Sequence, residues 1–77
     1  MNDQQQARLD RAEAAHKAYR EMVGGWGDYE ESISDLLADL FHYVRQLQVD
    51  REIDCTIEDL VATATMHFTA EIEENNE

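Results

Sequence analysis

The chain has 77 residues, no proline, three glycines and one cysteine, with 18 acidic against 6 basic residues and a net charge of −12. One domain is the most that this length supports, and an internal disulfide is excluded. The charge disfavours nucleic-acid and membrane surfaces and favours basic proteins. With no hydrophobic run in MNDQQQARLD, neither a secretory signal nor a membrane span is expected, and a cytoplasmic, reducing setting is the expectation.

Absence of proline and scarcity of glycine favour long helices. Residues 1–6 (MNDQQQ) read as a frayed start, and a long, alanine-rich first helix is predicted over about 7–23. Its apolar stripe, Leu9, Ala12, His16, Tyr19 and Val23, is narrow because alanine buries little area. His16, inside that stripe, reads as a partly buried histidine with one hydrogen-bond partner, or as an interface residue. The run Gly24, Gly25, Trp26, Gly27 is a helix stop and turn, with Trp26 expected to cap one end of the core.

The second helix is predicted over about 29–48, with Asp28 as N-cap and Glu30 and Glu31 in its first turn. Ile33, Leu36, Leu37, Leu40, Phe41, Val44 and Leu47 recur at i, i+3, i+4, i+7. No other stretch carries so much large aliphatic surface, so the other helices are expected to cover this stripe. Residues 49–55 (VDREIDC) have no period and read as a connection, with Ile53 turned inward. The third helix is predicted over about 57–73. Thr56 and Asp59 form a variant capping box at its start, and Ile57, Leu60, Val61, Ala64, Phe68 and Ile72 form its apolar face. The expected architecture is an all-α three-helix bundle with antiparallel neighbours.

The charge is unevenly placed. Residues 1–23 are balanced, four acids against Arg8, Arg11, Lys17 and Arg20, whereas residues 24–77 hold fourteen acids against only Arg45 and Arg51. Asp28, Glu30, Glu31, Asp35, Asp39, Asp50, Glu52, Asp54, Glu58 and Asp59 therefore form a candidate partner-binding surface. Carboxylates at i and i+4 lie about 5–6 Å apart on a rigid helix, approximating the repeat of phosphates along a strand. Such a body suits a basic, nucleic-acid-binding cleft on another protein. The plain alternative is an acidic face that only confers solubility.

Other chemistry finds less support. His67 and Glu71, one turn apart, with Asp39 on the second helix and Tyr43 beside it, are an alternative metal site of the carboxylate–histidine kind. The H-E-x-x-H spacing is absent. Cys55 lies among Glu52, Asp54, Glu58 and Asp59, where a catalytic thiolate would need cationic neighbours. GGWG lacks the lysine of a phosphate loop. No enzymatic activity, no cofactor and no direct nucleic-acid contact are expected. A structural homo-oligomer is a further alternative, as a homodimer through the first helix.

Residues 32–72 resemble a pattern of small acidic helical proteins of phages and other mobile elements. The matching residues are Asp35, Leu36, Leu37, Asp39, Leu40, His42 and Tyr43, then Ala64, His67, Phe68 and Glu71. The resemblance implies a mobile-element origin and assigns no activity to any residue. By analogy it points to an inhibitor of a host or defence protein, anti-CRISPR proteins and DNA mimics among them.

Overall fold

A computed structural model of the protein describes residues 3–25 and 27–75. It is an all-α three-helix bundle: α1 spans Asp3–Val23, α2 Tyr29–Val49 and α3 Ile57–Asn75. The helix α1 begins four residues before the expected start. Gln4, Gln5 and Gln6 are adequate helix formers, and Asp3 favours the positive end of the helix dipole. Trp26, the expected cap on the core, lies outside the described residues.

Local chemistry sets the helix ends. Gly24 adopts φ +66° after α1, and the Gly25 N–H donates to the Arg20 carbonyl at 3.2 Å, the long bond of a Schellman stop. Asp28 caps α2, its Oδ1 accepting from the Glu31 N–H at 2.8 Å. A second Schellman motif ends α2: Glu52 N–H donates to Leu47 O (2.9 Å) and Arg51 N–H to Gln48 O (3.1 Å). Its left-handed position is held by Arg51 at φ +60°, where glycine is the unstrained choice. The capping box starts α3 as read from the sequence: Asp59 N–H donates to Thr56 Oγ1 (3.1 Å), and Thr56 N–H to Asp59 Oδ2 (3.3 Å).

The tertiary packing departs from the sequence expectation. Among the described residues none is buried. Of the seven stripe positions on α2, Leu36, Val44 and Leu47 are half-buried, while Ile33, Leu37, Leu40 and Phe41 remain between 40% and 49% exposed. On α3 only Ile57 of the apolar face is half-buried, and Phe68 is 62% exposed. The helices splay: the chain extends over 42 × 33 × 17 Å, and three helices packed side by side at about 8–10 Å spacing would not reach the middle dimension.

The reason lies in where α1 grips α2. His16 Nε2 shares a 2.8 Å hydrogen bond with Ser32 Oγ, and Tyr19 OH donates to Asp39 Oδ2 at 2.7 Å. By helical spacing Ser32 and Asp39 sit on the polar flank of α2, about 100–160° from Ile33 and Leu37. So α1 is latched to the rim of the apolar stripe and does not lie over it. Farther along, α1 meets the end of α3 through Arg8, which pairs with Glu71 (3.5 Å) and Glu74 (3.4 Å). Partly exposed ion pairs of this kind contribute about 1 kcal/mol or less each.

Candidate interaction surface

All ten carboxylates read from the sequence as a partner surface are exposed. They form three contiguous groups. Asp28, Glu30, Glu31, Asp35 and Asp39 occupy the start of α2 and the flank that borders the end of α1. Asp50, Glu52 and Asp54 follow at the end of α2 and along the connection, and Glu58 and Asp59 are in the first turn of α3. Glu31, Asp35 and Asp39 recur at i, i+4, i+8, a straight row rising about 6 Å per step. The row lies about 160° around α2 from the apolar stripe, so the helix carries one charged and one greasy side.

Several of these carboxylates also hold structure. Asp28 and Asp59 cap helices, and Asp50 Oδ1 accepts from Gln46 Nε2 at 3.1 Å. Asp39 is held by the Tyr19 hydroxyl. That bond, with partial loss of water and the negative charges of Asp39 and Asp35, pushes the Tyr19 pKa from 10.0 up to about 12. Glu30, Glu31, Asp35, Glu52, Asp54 and Glu58 are the acids in the set whose side chains are least committed to the fold.

The alternative metal site is not assembled. Asp39 is engaged by Tyr19, and Glu71 by Arg8, while His67 is exposed. Among the described residues no group of three or more His, Cys, Asp or Glu side chains gathers to hold an ion. The i, i+4 spacing places His67 and Glu71 on one face of α3, but Asp39 is not gathered with them.

Two features were not anticipated. Tyr19 counted as an apolar stripe residue, yet its hydroxyl reaches across to Asp39; a tyrosine in an otherwise alanine-rich stripe is the available signal. Arg20 stacks over Tyr29 at 5.0 Å from the ring centroid and donates from Nη2 to the Gly27 carbonyl at 3.1 Å, locking the α1–α2 turn. His16 meets Tyr29 edge-on at 5.8 Å. Above these contacts α1 and α2 part, leaving an open groove of about 1150 Å³ with Leu9, His16, Arg20, Ile33 and Leu36 in its walls.

No known protein family, curated protein or solved structure matches the chain. Among the described residues no helix is long and apolar enough to cross a membrane.

Proposed function

We propose that the protein is a non-enzymatic interaction module that docks its acidic α2–α3 side on a basic surface of a partner protein, in the place a nucleic acid would occupy. The partner class is a host or defence protein with a nucleic-acid-binding cleft, as the mobile-element resemblance suggests. One observation carries the reading: the whole charge excess lies in residues 24–77, and its ten candidate carboxylates are all exposed on or beside capped helices. A rigid row needs no ordering when it binds, so little conformational entropy opposes association. Opposite charge also speeds capture, an effect that salt screens.

The test is affinity capture from the natural host, followed by salt titration and competition with duplex DNA on the captured partner. Release with rising salt, displacement by DNA, and loss of capture by the combined Glu31→Gln, Asp35→Asn, Asp54→Asn variant support the reading. A partner retained at high salt, or indifferent to DNA and to the variant, overturns it.

A further inference from the structure

We infer that the chain forms a symmetric homodimer in which the apolar faces of α2 and α3 meet the same faces of a second copy. The surface area carries the argument. The chain exposes 6582 Å². A compact monomer of 8.9 kDa exposes about 4,800 Å², so about 1,800 Å² per chain is uncovered beyond the norm. Two chains would hide about 3,600 Å² by covering it, within the range of roughly 2,000–5,000 Å² found for obligate homodimers. Shape agrees that the single chain is not closed on itself: its radius of gyration is 14.7 Å, against about 11.5 Å for a compact chain of this length.

Of the large apolar side chains left exposed among the described residues, most are on α2 and α3. Ile33, Leu37, Leu40 and Phe41 on α2, with Phe68 and Ile72 on α3, are large, apolar and exposed. The connection 50–56 is short and mostly polar and does not cover them. A closed two-fold dimer needs only one self-complementary patch, which these faces supply. This places the interface on α2 and α3, which carry most of the exposed large apolar side chains, and not on α1, which exposes Leu9, Met22 and Val23. The carboxylate row points to the other side of α2, so the dimer stands whether or not the acidic side binds a basic partner. Two acidic chains repel, so salt strengthens this association.

Sedimentation equilibrium and helical circular dichroism across the micromolar range test it on the full chain. The expected result is a particle of twice 8.9 kDa whose mass and helicity fall together on dilution. Phe68→Glu should raise the dimer dissociation constant by about a hundredfold or more, because an aromatic anchor is lost from both copies. Met22→Glu, at an exposed site on α1, should leave it unchanged. A monomer with concentration-independent helicity, a higher oligomer, a Phe68→Glu chain that remains dimeric, or a Met22→Glu chain that dissociates would each overturn the inference. A monomeric Phe68→Glu chain supports it whatever its helicity.

Discussion

Neutralising the middle of the carboxylate row should stabilise the protein while weakening its proposed binding. Asp35 stands four residues from both Glu31 and Asp39 on α2, and all three are exposed. Like charges at i, i+4 destabilise a helix by about 0.2–0.5 kcal/mol per pair, so Asp35→Asn removes two repulsions worth about 0.4–1 kcal/mol together. Little offsets this gain. Asp35 lies beyond the first turn, where the helix dipole would reward it, and Asn and Asp have similar helix propensities. A chain of this size shifts by about 4–8 °C per kcal/mol, giving a rise in melting temperature of about 2–8 °C. The assay is thermal unfolding followed by circular dichroism, at one fixed protein concentration because association would move the midpoint. Repeating it in high salt is the control, since the Debye length falls to about 3 Å at 1 M and the gain should shrink accordingly. A lower melting temperature, or a gain that persists undiminished at 1 M salt, would refute the claim that the row is a set of mutually repelling, solvent-facing charges.

Two further outcomes follow from single residues. The Tyr19 pKa is raised from 10.0 to about 12, so its stabilising effect is complete below pH 10 and is lost as pH climbs through about 12. Ultraviolet titration of the three tyrosines should show one ionising late, and Tyr19→Phe should abolish that late step; three coincident ionisations would discredit the Asp39 bond. Arg51 holds a left-handed backbone at φ +60°, so Arg51→Gly should relieve strain and stabilise by about 1 kcal/mol, read as a higher melting temperature at equal concentration. A lower melting temperature would show that the arginine side chain contributes more than the strain removes.

What was legible in the sequence was what is decided within a few residues. The Asp28 cap, the Thr56–Asp59 box and the glycine stop after Val23 each depend on one side chain and its local backbone, and all three formed as read. His16 likewise found its single partner, in Ser32. The stripe from Ile33 to Leu47 told that one face of α2 wants cover, because periodicity reports amphipathicity. It could not tell what provides the cover, because periodicity is silent about partners. The proposed cluster of Asp39, His67 and Glu71 failed for the same reason: spacing fixes residues on one helix, whereas their meeting depends on how two helices are set. Tyr19 illustrates the remaining gap, since an amphipathic side chain scored as greasy spent its polar end on the latch that holds α1 to the rim of α2.

Helix α2 therefore serves two opposed interactions, and salt separates them. Its apolar side associates with a second copy by excluding water, against repulsion between two chains of charge −12, so added salt should tighten that contact. Its acidic side attracts positive charge, so added salt should loosen that contact. Both sides are built on the same helical period, about 160° apart, and neither has to move for the other to be used. A dimer would in addition carry two copies of the Glu31–Asp35–Asp39 row on one rigid body, which raises avidity for any basic surface long enough to touch both. Association that weakens with salt in both assays would remove the apolar contact from this scheme, and association that strengthens in both would remove the acidic one.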